Sequence, residues 1–198
     1  RAWNVRKRAY WSVLAGACGH TYGHASVWPM RDPARGLEAG QLSWRGALDR
    51  PGATHMLHLR RLMESRPIFD AEPDQSLVTG QARVAGTLDI RLQARRDREG
   101  RFAIIYTTSG GPIPVDMTRF AGETVAAWWF DPRTGRACDA HGAPVTRPFA
   151  AYTTQGTQRF QPPTHGPDND WLLVLDAAGF DFPVPGQPLP SSERTDHA

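Results

Sequence analysis

Hydrophobic periodicity changes near Pro67, and no other feature constrains the fold of this chain as much. In "PGATHMLHLRRLMESR", residues 51–66, Met56, Leu59, Leu62 and Met63 recur at helical intervals, with Arg60, Arg61 and Glu64 opposite them; the spacing predicts a helix with one apolar stripe. Residues 1–17 repeat the pattern through Trp3, Tyr10, Val13, Leu14 and Ala17, with Arg6, Lys7 and Arg8 between, and Gly16 and Gly19 stop that helix. Between the helices, "CGHTY" has room for one brief strand. A long loop then runs over 26–50 and carries Trp28 and Trp44, and loops of that length in a compact domain are usually functional or disordered.

Beyond Pro67 the period is that of strands. "TLDIRLQA" alternates Leu88, Ile90 and Leu92 with Asp89, Arg91 and Gln93, "DREG" turns the chain, and "RFAIIYTT" returns as the second arm of a hairpin. "ETVAAWWFDPRTGRA" repeats the scheme around an Asp-Pro turn, and "DWLLVLD", residues 170–176, reads as a strand buried on both faces. These runs predict an antiparallel β-sandwich over 67–178, followed over 179–198 by a proline-rich tail in solvent.

Composition narrows the function. The chain has 198 residues, is 40% apolar and holds seven tryptophans, enough for a packed core. Its net charge is +3, and its 23 basic residues, all arginine except Lys7, are interspersed with acids as in "RRDREGR"; nucleic acid is not the expected partner. No apolar run reaches the ~18 residues that cross a bilayer, so no membrane is expected either. Cys18 and Cys138 stand too far apart to argue a disulfide framework or a metal site and read as two small buried thiols. Two amphipathic helices and a strand stub cannot bury their apolar faces against one another alone, so partners are expected upstream of Arg1.

"RAYWSVLAGACGHTYGHASVW", "ALDRPGATHMLHLRRLMESR" and "PDQSL" together resemble the closing portion of the apiosidase-like glycoside hydrolases. "AWWFDPRTG" and "DWLLVL" resemble the strands of the β-domain that follows that barrel and is named for collagen binding. The resemblance spans roughly residues 1–176 and implies an α/β plus all-β architecture, the C-terminal end of a (β/α)8 TIM barrel followed by the sandwich. Residues 1–66 would then supply the seventh helix, the eighth strand, its βα loop over 23–50 and the eighth helix, with the earlier barrel units in a missing N-terminal portion.

Such barrels carry their sites at the C-terminal ends of the strands, so this loop would face substrate. His20, Tyr22 and His24 offer hydrogen bonds, and Trp28 a flat face for a sugar ring; they are the candidate substrate-binding residues, and an oligo- or polysaccharide is the implied partner. The alternative is that His20 and Tyr22 only tie the loop to its neighbours while Trp28 fills core. The four-residue spacing of His20 and His24 lacks a helix and a third ligand, so no metal and no cofactor is assigned. Glycoside hydrolysis uses a pair of carboxyl groups, which the resemblance places before Arg1; no catalytic residue is assigned, and these 198 residues alone are not expected to hydrolyse. Asp32, Glu38 and Asp49 read as loop charges or a helix cap, and Asp116, Asp131 and Asp170 as turn acids.

The expected function is therefore the C-terminal part of a glycoside hydrolase acting on complex polysaccharide side chains, contributing part of the pocket and the accessory domain. A non-catalytic carbohydrate- or matrix-binding protein is the alternative. Trp128 and Trp129 separate two roles for the β-domain: adjacent on a strand, they point to opposite faces, and the outward one either stays uncovered as a binding platform or packs on the barrel as a buttress. Enzymes of this kind are often exported, and any export signal would lie upstream.

Overall fold

The computed structural model describes residues 1–36, 41–80 and 91–190. Glu38, Leu88, Asp89, Ile90 and the end of the tail lie outside the described residues. Among the described residues nine strands follow the helical start: β1 (Ala71–Pro73), β2 (Gln93–Asp97), β3 (Phe102–Thr107), β4 (Ile113–Asp116), β5 (Thr124–Asp131), β6 (Arg136–Cys138), β7 (Ala150–Thr153), β8 (Thr157–Phe160) and β9 (Trp171–Ala177). The main sheet runs β1-β2-β3-β9-β5-β6, with β7 also paired to β5, and every pairing is antiparallel. A second layer, β4-β8, closes a sandwich.

Strand alternation divides the main sheet's side chains into two cores. Ile105, Val125, Ala127, Trp129, Leu173 and Leu175 point inward, onto Ile113, Val115, Met117 and Phe160 of the sandwich. Phe102, Ile104, Tyr106, Trp128, Phe130, Leu172 and Val174 point outward and are buried as well. Their cover is helical: α1 (Ala2–Leu14) contributes Ala9, Tyr10, Val13 and Leu14, and α3 (Pro51–Met63) contributes Leu59, Leu62 and Met63. Burial on both faces is why β3 and β9 read as unbroken apolar runs.

This arrangement corrects the expectation that the helices need upstream partners to hide their stripes. The sheet that follows them in sequence supplies the cover, and each large side chain removed from water there contributes about 1.5–3 kcal/mol. The Arg95 guanidinium closes the joint by donating to the Val13 carbonyl in the last turn of α1, at 2.9 Å, and to the Ala71 carbonyl at the start of β1.

Other expectations are revised too. Residues 17–24, expected to hold a strand at "CGHTY", run without ladder partners, because no described strand lies beside them to complete their backbone hydrogen bonds. The loop beyond contains a short helix, α2 (Trp44–Leu48), whose N-cap Ser43 accepts from Gly46 N–H at 3.1 Å. Asp49 terminates α2 and does not cap α3, whose N-cap is Arg50 with Pro51 in the first turn. Cys138 is buried but Cys18 is exposed, so only one of the two thiols is interior.

The described part of the tail is not solvated throughout. Phe182 meets Phe102 edge-on at 5.6 Å and lies under the Arg66 guanidinium, and Leu189 N–H donates to the Glu64 carbonyl at 3.2 Å. Proline discourages regular structure, but apolar residues between prolines can still pack on a sheet face, as Phe182 and Val184 do against the outer core.

Candidate functional site

The four candidate residues all lie on the stretch that follows α1, but the structure holds them differently. His20 is exposed. Tyr22 is half-buried, its ring against Gly52 at the start of α3 and within reach of Val5 of α1; a Cβ at position 52 would stand 3.1 Å from that ring. His24 is turned back into the loop, where its Nδ1 accepts from Ser26 N–H at 3.1 Å and its carbonyl accepts from Val27 and Trp28. Trp28 is 79% exposed, with its indole Nε1 edge laid against Gly23, where a side chain would collide with it. Trp28 therefore does not fill core, and Gly23 is what lets the indole edge approach the backbone.

Of the acids in the loop, Asp32 serves structure. Asp32 accepts from Ala34 N–H at 2.9 Å and pairs at the surface with Arg45. Among the described residues no group of three or more His, Cys, Asp or Glu side chains could hold a metal ion, and no helix is long and apolar enough to cross a membrane.

Beneath the loop, where the helices meet the sheet, lies a polar junction that the sequence reading did not identify. Arg6 of α1 reaches Asp170 with both ends of its fork, Nε to Oδ2 at 2.8 Å and Nη2 to Oδ1 at 2.6 Å. Tyr106 of β3 donates its hydroxyl to the same carboxylate at 3.0 Å, and Arg6 Nη1 donates to His55 Nδ1 of α3 at 3.2 Å. Tyr10 stacks on Tyr106 with centroids 5.1 Å apart, and its buried hydroxyl has no partner among the described residues. Burial works against the charge on Arg6, yet its hydrogen bonds to Asp170 and that carboxylate's charge outweigh it and raise the Arg6 pKa. Burial first, then the Asp170 charge, pushes both tyrosines well above the usual phenol range, so both stay neutral. His55 moves the other way, lowered by burial and then by the neighbouring Arg6 cation, which keeps it a neutral acceptor.

A second forked pair closes the far end of the interface: Arg66 after α3 grips Asp176 of β9 at 3.0 and 2.7 Å. Both pairs are fully or nearly fully buried, which makes them determinants of how helices and sheet seat on each other. By contrast Asp116 and Asp131 are turn acids, as expected, accepting from Thr118 N–H and Arg133 N–H.

Comparison with known proteins sets this architecture in context. Residues 1–70 match the family model described as "Apiosidase-like, catalytic domain", and residues 72–176 match "Putative collagen-binding domain of a collagenase". A solved glycoside hydrolase superposes with TM-score 0.79 at 31% identity, covering 91% of this chain and 38% of that one. A family 5 glycoside hydrolase from Bacteroides vulgatus ATCC 8482 superposes with TM-score 0.79 at 28% identity, covering 96% and 39%. The chain thus spans about two fifths of the length of these neighbours. No curated protein matches it. In fold the chain is similar to these glycoside hydrolases. Within that class the chain belongs to the apiosidase-like family, of which it is C-terminal region, carrying part of the catalytic-domain sequence and the collagen-binding-type β-domain.

Proposed function

We propose that in the whole enzyme residues 1–66 complete a glycosidase TIM barrel, residues 18–22 pairing as its last strand once the N-terminal strands stand beside them, and that the loop after α1 lines the substrate pocket. The substrate class is a complex polysaccharide bearing side chains, and the catalytic carboxyl pair belongs to the N-terminal barrel portion. The observation that carries this reading is Trp28, a large indole left 79% exposed on the loop that a barrel would turn toward sugar. His20, exposed on the same stretch, is a hydrogen-bonding group for hydroxyls, Tyr22 anchors the loop to both helices, and His24 shapes its turn.

Residues 67–178 act in this reading as a buttress. Trp129 is 1% exposed in the sandwich core and Trp128 is 5% exposed against the helices, so neither supplies the uncovered platform that a ligand-binding role for the β-domain required of them.

The test is kinetic, in the full-length enzyme on a branched polysaccharide. His20→Ala and Trp28→Ala are expected to lower kcat/KM at least about tenfold, the scale of one lost hydrogen bond or stacked face, with urea midpoints unchanged. Unchanged kinetics in both variants would reduce the loop to a structural tie.

A further inference from the structure

A shallow groove of about 760 Å³ crosses the β-domain between β6, the 144–149 connection and the strap over 184–187. Its size falls within the ~300–1,000 Å³ of small-molecule sites. Arg136, Thr146, Arg147 and Gln187 offer polar groups, Phe149 and Pro185 offer flat apolar ones, and no Asp or Glu lines it. Phe149 is held in place by stacking on Trp129, with the two rings 3° from parallel.

The arginines give the groove its charge. Several arginines elsewhere in the described protein are committed to carboxylates: Arg6 to Asp170, Arg66 to Asp176, Arg96 to Asp74, Arg101 to Asp97, Arg133 to Asp131. Arg136 and Arg147 are exposed side chains on one groove with no carboxylate in it. The nearest acids along the chain, Asp131 and Asp139 on the turns flanking β6, are drawn into their own turns: Asp131 by Arg133, Asp139 by the N–H groups of His141 and Ala143 at 2.8 and 2.9 Å. Two unneutralised guanidinium forks beside an aromatic face and prolines suit a ligand that is planar-faced, hydroxylated and anionic.

We propose that this groove binds an acidic oligosaccharide through carboxylates of uronic-acid residues, which Arg136 and Arg147 engage while a sugar ring packs on Phe149 and Pro185. The proposal rests on the reading that the protein handles carbohydrate, and gives the β-domain a docking role for a charged polysaccharide beyond supporting the helices.

The experiment is calorimetric titration of the full chain with trigalacturonate, its carboxyl-reduced neutral counterpart and hexaglutamate. Trigalacturonate is expected to bind at least tenfold more tightly than the other two, more weakly as salt rises. The double variant Arg136→Gln/Arg147→Gln is expected to lose at least tenfold, with its circular dichroism unchanged because both side chains are exposed. Equal binding of the neutral trisaccharide, equal binding of the acidic peptide, an unaffected double variant or no binding at all would each overturn the proposal. Trp28→Ala separates this site from the loop: it should leave trigalacturonate binding intact. Loss of binding in that variant would place the probe on the loop, ending the groove proposal while leaving the pocket reading standing.

Discussion

Replacing Asp170 by alanine should destabilise the protein more than any surface change, and the structure sets the size. The carboxylate is fully buried and Arg6 is 5% exposed, so the variant leaves a buried guanidinium with no counter-charge and a Tyr106 hydroxyl with no acceptor. Removing one partner of a buried pair costs about 3–5 kcal/mol. Against a total stability of about 5–15 kcal/mol that is a third or more. Urea unfolding followed by far-ultraviolet circular dichroism and tryptophan fluorescence measures it, urea being preferred to guanidinium because it does not screen the pair. The double variant Arg6→Met/Asp170→Leu should recover most of the loss, since a well-packed apolar pair also avoids stranding a charge. As a control, Glu64→Gln breaks the exposed pair with Arg60 and should leave the midpoint where it was. A change under about 1 kcal/mol for Asp170→Ala, or no recovery in the double variant, would refute the idea that this pair seats the helices on the sheet.

Two further predictions concern the same scaffold. His55 has its pKa lowered below the ordinary 6.5, so the unfolded chain binds its proton more readily; the stability it contributes is present above pH 6.5 and is lost as pH falls through the lowered value. Stability measured between pH 7 and 5 should therefore decline in the wild type and decline less in His55→Gln; parallel slopes would show that other groups carry the dependence. Gly110 has φ +67°, and a side chain there would run into the Thr164 carbonyl oxygen and stand 2.8 Å from His165 Cα, whereas Gly156, at φ +63°, faces open space. Gly110→Ala should cost at least about 2 kcal/mol and Gly156→Ala about 1 kcal/mol by urea midpoint; equal costs would mean the 164–165 backbone yields freely.

How much of this was legible in the sequence follows from what each pattern encodes. Asp-Pro and Arg-Glu-Gly turns are local, and the hairpins of β2 with β3 and β5 with β6 turn at those signals, although β2 begins only at Gln93, beyond the alternation of Leu88, Ile90 and Leu92, the first two of which lie outside the described residues. That the run at β9 is buried on both faces is legible in "DWLLVLD" too, but that β3 shares this burial and that the helical stripes supply the second cover is not: the stripes alone predict neighbours upstream, whereas they face these strands. Stripes state that a face is covered, never by what. The loop residues show the converse limit, since His20 and His24 look alike in sequence and only the fold turns one outward and the other into its own turn.

The polar junction left a trace that periodicity alone could have exposed. Arg6 stands four residues before Tyr10 and seven before Val13, on the apolar stripe of α1; His55 stands four before Leu59, and Arg66 four after Leu62, in line with the stripe of α3. A charge or imidazole in a core register either breaks the helix's docking or finds a buried partner. Here Arg6 and Arg66 each find an aspartate at one end of a single strand, Asp170 just before β9 and Asp176 within it. Two forked pairs about the length of one strand apart fix both translation and rotation of the helical layer, which apolar packing alone leaves free to slide. Because α1 and α3 flank the loop that carries His20 and Trp28, the β-domain sets that loop's position through β9. If the loop binds sugar as proposed, a shortened β9 or a lost Arg66 lowers kcat/KM of the full enzyme from the far side of the interface, without any change in loop sequence.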